Sequence, residues 1–211
     1  MAEGLVTMDR VAQDGMRVRA DAGKSSFRTA GRLEELLEMA KEQVETLKQL
    51  AETDPEELTN RQRAARARAA AERQARIEEA ARQCEELRTK KEAREKGRKE
   101  KSSEARASTT DPEARNMKFS DGGCRPGFNV QFATDTATGI VLGVDVTNAG
   151  TDSEEMPPML DQLETRYDTV PGEILVDGGF ASLDAIDATE ARDCKVYAPV
   201  KDAEKQKTLK R

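Results

Sequence analysis

Between Arg32 and Lys96 the chain has no glycine and a single proline, Pro55, and nearly every residue is a good helix former. A stretch this long without turn chemistry cannot be folded into a sheet, so helices must occupy it. Leu33, Leu37, Ala40, Val44, Leu47 and Ala51 follow one another at alternating spacings of four and three, which draws one narrow apolar stripe down a helix. Asp54-Pro55-Glu56-Glu57 then reads as an N-cap, a proline at the first helical position and acids in the first turn, so a second helix begins there. Its stripe is Ile77, Ala80, Cys84 and Leu87. Glu34 to Glu57 holds two basic and nine acidic residues, and Leu58 to Arg106 sixteen basic and nine acidic, so the two helices carry opposite net charge. An antiparallel hairpin with the second helix projecting beyond the first is expected. Its stripe is read as intramolecular packing rather than an oligomerisation zipper. Thr89 to Ser108, rich in lysine and arginine, is expected to fray into a linker.

On both sides of this segment the pattern changes to period two. The alternation through Val11-Ala12-Gln13-Asp14-Gly15-Met16 predicts a strand from about Val6 to Ala20. Phe128 to Thr134 and Ile140 to Val146 predict two further strands, joined as a hairpin by Asp135-Thr136-Ala137-Thr138-Gly139. Met156, Leu160, Leu163 and Tyr167 mark an amphipathic helix, Glu173 to Asp177 a short apolar strand, Leu183 to Arg192 a short helix and Lys195 to Val200 a last strand. The expected class is α/β, with the order β, long α insertion, β, β, α, β, α, β.

Composition narrows the chemistry. With no histidine in 211 residues, Ser-His and Cys-His catalysis and His-ligated zinc or haem are excluded, leaving carboxylates, lysines and thiols. Cys84, Cys124 and Cys194 are odd in number, far apart and without a CxxC pair, which points to a reduced, cytoplasmic protein. Apolar runs such as Ile140-Val141-Leu142 fall far short of the about 20 residues that cross a bilayer, so no membrane partner is expected. Asp111 to Val200 carries six basic and seventeen acidic residues, which makes the β-patterned part acidic.

Among those acids, Asp14 lies inside the first strand and Asp177 at the end of the apolar run Ile174-Leu175-Val176. An acid in apolar β-sequence is costly unless paired or coordinated to a metal, and hard oxygen donors suit Mg²⁺ or Mn²⁺. The competing reading makes Asp14 a turn residue before Gly15 and Asp177 the cap of the following helix. Asp135 and Asp145 are lesser candidates. Arg61, Arg63, Arg66, Arg68, Arg73 and Arg76 are candidate contacts to a DNA backbone, because each neutralised phosphate releases counterions. The alternative there is a solvated helix with paired charges.

Asp121-Gly122-Gly123-Cys124-Arg125-Pro126-Gly127-Phe128-Asn129-Val130-Gln131-Phe132, Gly143-Val144-Asp145-Val146-Thr147-Asn148 and Leu175-Val176-Asp177-Gly178-Gly179-Phe180 resemble the catalytic domain of bacterial insertion-sequence transposases of the DDE class. The resemblance spans about Leu5 to Val200. It implies an RNase H-like mixed sheet with the charged hairpin inserted after the first strand. The corresponding parts are residues 1–29 (first strand), 30–110 (hairpin and linker), 111–200 (remainder of the catalytic domain) and 201–211 (a basic, disordered tail). Asp14 and Asp177 match the first and second acids of a triad that binds two divalent metals, Mg²⁺ or Mn²⁺, for DNA cleavage and strand transfer. DNA, as transposon ends and target, is the implied partner, and a homodimer stays open. The third acid, a glutamate on a helix, is expected beyond Val200. Glu204 is the only glutamate in the tail Lys201 to Arg211 and has no strand-to-helix context to place it. The expectation is a fragment truncated at both ends and inactive alone. A non-catalytic DNA-binding or helical interaction protein that works through the basic hairpin is the competing class, and a marginally folded product without function is a third.

Overall fold

The computed structural model describes residues 5–53, 59–95 and 104–199, with backbone only for 51–53, 94 and 95. The elements are β1 (Arg10–Arg19), β2 (Phe27–Arg28), α1 (Ala30–Thr53), α2 (Asn60–Glu95), β3 (Ala107–Ser108), β4 (Arg115–Lys118), β5 (Cys124–Asp135), β6 (Val141–Thr147), α3 (Met156–Tyr167), β7 (Glu173–Leu175), α4 (Leu183–Glu190) and β8 (Lys195–Tyr197). The fold is mixed α/β. It divides into two compact units, one of Met1–Val18, Met117–Gly122 and Phe128–Arg211, the other of Arg19–Asn116 and Gly123–Gly127.

The sheet of the first unit runs in the order β4-β5-β1-β7-β8, with β6 also paired to β5. Hydrogen bonds from Thr136 N to Arg10 O and from Ala20 N to Pro126 O run β1 and β5 in opposite directions. β5 and β6 are antiparallel, whereas β7 is parallel to β1 and β8 is parallel to β7. The β5–β6 turn forms because Asp135 Oδ2 accepts from both Thr138 N and Thr138 Oγ1, and Gly139 takes the left-handed φ of 75° that closes it. α3 covers one face of the sheet with Met156, Met159, Leu160 and Leu163, all buried. Each such side chain contributes about 1.5–3 kcal/mol of burial. Met159 and Leu163 pack on Val11, Ala133 and Leu142, while Met156 and Leu160 pack on Ile174, Phe180 and Cys194. β6 comes close to α3 at Gly143, where a β-carbon would stand 2.6 Å from Met159 Sδ. Gln162 then bonds both the N–H and the carbonyl of Val144, each at 2.9 Å. Pro157 and Pro158 fall in the first turn of α3, where no amide donor is missed. The opposite face leaves Met16, Val18, Val144, Val146 and Tyr197 exposed.

In the second unit α1 and α2 pack through Leu33, Ala40, Ile77, Ala80 and Cys84, all of which lie on the anticipated stripes and are buried together with Ala105 and Ala107. Leu33 and Ala40 come from α1, the other three from α2. The expected cap Asp54-Pro55-Glu56-Glu57 lies outside the described residues. The expectation of a frayed linker from Thr89 needs correction at both ends. Helix α2 continues to Glu95, supported by Thr89 Oγ1 to Glu85 O and by the Arg88 pairs with Glu85 and Glu92. At the far end, β3 pairs antiparallel with β2, and Ala105 and Ala107 join the core. Charge density hid these few buried alanines. The short strands β2, β3 and β4 carry no pattern long enough to announce them. Among the described residues no helix is long and apolar enough to cross a membrane.

Candidate functional site

The β1 alternation buries Val11 and Gln13 beneath α3 and turns Arg10 and Asp14 outward. Asp14 is therefore a mid-strand residue, and Gly15 continues the strand instead of turning it. Asp177 lies two residues beyond the end of β7 and five before Ser182, whose hydroxyl accepts from Ala185 N and caps α4. Asp177 is not that helix's cap. The parallel pairing joins Arg10 to Glu173, Val11 to Ile174 and Ala12 to Leu175. Carried two residues beyond its last pair, the same offset would bring Asp14, in the middle of β1, level with Asp177, just past the end of β7. Asp14 Oδ1 accepts from Gly15 N at 2.8 Å, and Asp177 Oδ1 from Gly179 N at 2.7 Å. Each acid is thus braced by a nearby backbone amide and turned to solvent. The donor set suits a small hard cation, which needs only one or two carboxylates beside water and phosphate. Among the described residues no cluster of three or more acids or thiols is arranged to hold a metal by itself.

Next to this pair stands an acid that sequence reasoning missed. Asp152 sits in the loop before α3. Its Oδ1 accepts from Asn129 Nδ2 at 2.6 Å, Gln131 Nε2 at 2.8 Å and Arg17 Nη1 at 3.2 Å, and its Oδ2 accepts from Arg17 Nη2 at 3.2 Å. Asn129, Gln131 and Gln13 are almost wholly buried, and Gln13 Nε2 donates to Gln131 Oε1 and to Glu155 O, both at 3.0 Å. Burial opposes ionisation of Asp152, yet the Arg17 and Asn129 hydrogen bonds, the Arg17 charge and the Gln131 amide outweigh it and hold the carboxyl below its usual range. Glu155 goes the other way. Burial pushes its carboxyl up, a hydrogen bond with Thr147 pulls it partly back, and Asp145, Asp152 and Glu154 push it up again. No local pattern could have marked Asp152, because its partners come from β1 and β5.

The lesser candidates separate. Asp145 lies on β6 opposite Gln131, with its Oδ1 on Val146 N. Asp135 is buried in the β5–β6 turn, where it ties down Thr138 near the start of β1, the end away from Asp14. On α2, Arg61, Arg66, Arg68 and Arg76 are exposed and Arg63 is half-buried. Arg63 also donates to Asn60 Oδ1, and Arg73 Nη1 donates to Gln43 Oε1 at 3.1 Å across to α1. At about 100° per residue, Arg61 and Arg68 share one row and Arg66 and Arg73 another, so the six fan around more than half the helix.

The sequence model of the family described as "Transposase DDE domain" matches residues 102–211, which is 110 of the 211 residues. The matched stretch contains Asp152 and Asp177 and excludes Asp14. No curated protein matches the chain.

Proposed function

This chain belongs to the transposase DDE-domain family, and from that premise we propose that its sheet is an RNase H-like catalytic core in which Asp14 and Asp177 together hold Mg²⁺ or Mn²⁺ for phosphoryl transfer on DNA. The observation that supports the reading is the parallel β1–β7 register, whose offset, continued two residues past Ala12 and Leu175, would bring Asp14 of β1 level with Asp177 just beyond β7. An antiparallel run of β1, β5 and β6, extended by β7 and β8 parallel to β1, supports the proposed architecture. Ligands of open α/β sheets gather at the carboxyl ends of strands, where Asp177 lies.

Bound there, a divalent ion would supply charge neutralisation for a phosphate and for the oxygen leaving it. The residues themselves do the rest. The amides of Gly15 and Gly179 each engage one carboxylate oxygen, which fixes the orientation of Asp14 and Asp177 and leaves the second oxygen of each for the cation. The exposed arginines of α2 are proposed as phosphate contacts, and their spread around the helix suits a backbone that passes along it more than one that docks on a single face.

Titration of Mn²⁺ into the whole chain, with calorimetric readout, tests the reading. Wild type is expected to bind, and Asp177→Asn and Asp14→Asn to lose binding while keeping the wild-type circular dichroism spectrum. Equal binding by wild type and Asp177→Asn would overturn the assignment.

A further inference from the structure

The loop from Gly150 to Glu155 is tied to both acid-bearing segments. Arg17 Nη2 donates to Gly150 O at 3.3 Å and to Asp152, and Gln13 Nε2 donates to Glu155 O. Gln13 and Arg17 are on β1, one residue before and three after Asp14. On the other side Ser182 Oγ donates to Ser153 O at 2.8 Å, and Ser182, five residues after Asp177, caps α4. The point where a β-carbon of Gly179 would stand is 3.7 Å from Asp152 Oδ2 and 2.8 Å from Asp177 Oδ1, so the two carboxylates flank the same glycine.

We propose that Asp152, clamped by Arg17, Asn129 and Gln131, is a positioning residue that sets the separation of Asp14 and Asp177. The inference rests on the metal-site reading above. Asp152 is unsuited to be a ligand itself: four donor contacts, two of them from a guanidinium, already occupy both of its oxygens. Its function is to convert a loop into a strut between β1 and the Asp177 turn. Partners that orient ligands in this way commonly change metal affinity about 10-fold to 100-fold when removed.

The sign of the Arg17→Gln effect is diagnostic. Removing a positive charge beside acids favours a cation, so an electrostatic bystander would make Mn²⁺ bind more tightly; loss of the strut makes it bind more weakly. The test is Mn²⁺ calorimetry on the whole chain for wild type, Arg17→Gln, Arg17→Lys, Asp152→Asn and Asp177→Asn, with circular dichroism of each. The expected result is that Arg17→Gln, Arg17→Lys and Asp152→Asn weaken binding about 10-fold to 100-fold in folded protein, while Asp177→Asn abolishes it. If Arg17→Gln does not fold, Arg17→Lys, which keeps the charge and the stem but not the fork, decides alone. Unchanged or tighter binding in the Arg17 variants, with binding still lost in Asp177→Asn, overturns the positioning role and leaves the metal site standing. Absence of binding in wild type, or its survival in Asp177→Asn, overturns both.

Discussion

Gly15→Ala is the smallest perturbation that reaches the buried polar cluster, and its effect can be worked out from distances. A β-carbon at position 15 would stand 2.4 Å from Gln131 Nε2, 2.6 Å from Asp152 Oδ1 and 3.0 Å from Asn129 Oδ1. All three contacts are closer than carbon and polar atoms ordinarily approach, and the groups cannot swing aside, because Gln131 and Asn129 are buried and bonded to Asp152. Making room breaks one or both amide bonds to a charged acceptor, worth about 1.5–3 kcal/mol each. A loss of about 3 kcal/mol is expected, which for a chain of this size lowers Tm by roughly 6–12 °C. The usual glycine-to-alanine effect has the opposite sign, a gain of about 0.4–1 kcal/mol from the stiffer unfolded chain. Urea unfolding followed by circular dichroism at neutral pH measures the difference. A loss smaller than about 0.5 kcal/mol, the range of ordinary surface changes, or any gain, would show that the cluster is not packed against β1 as described.

Three other expectations follow from the same groups. Because the Asp152 carboxyl is held below its ordinary value of 3.8, its contribution is complete above that value and is lost as pH falls through the lower folded one; unfolding free energy should drop on acidification below about pH 4, and Asp152→Asn should remove that part of the slope in acid titrations followed by circular dichroism. Glu155 has the reverse sign: its raised carboxyl favours the folded state as pH falls toward its unfolded value, so Glu155→Gln should stabilise the chain at pH 7 in a urea titration, and a destabilised variant would contradict the burial argument. Cys124 is exposed, whereas Cys84 and Cys194 are buried and burial lifts the Cys194 thiol to about 11. Native protein should therefore give one fast equivalent with a thiol-labelling reagent at pH 8 and three in denaturant; a second fast equivalent without denaturant would count against the packing of α2 or β8.

Most of the regular structure could be read locally. The four-three spacing of Leu33 and Ala40, the Asp135 to Gly139 turn between β5 and β6, and the face of α3 are each encoded within a few residues, because helix and strand periods repeat over such distances. Asp14 and Asp177 could be named from the apolar strands around them, for the same reason. The strands β2 and β3 are two residues each and find one another from positions 27–28 and 107–108, a pairing with no periodic trace in either partner. The β1–β7 register, on which the proposed alignment of Asp14 with Asp177 depends, is formed across 163 residues of sequence, and Asp152 is held by Arg17 from 135 residues away. Such contacts arise only once the sheet has assembled, since a single acid in a loop has no signature until the tertiary structure brings donors to it. The amino-acid sequence alone determined the helices, the main hairpin and the identity of two candidate acids. Tertiary structure decided their register and the buried network beside them, because those depend on long-range pairing, which period and propensity do not encode.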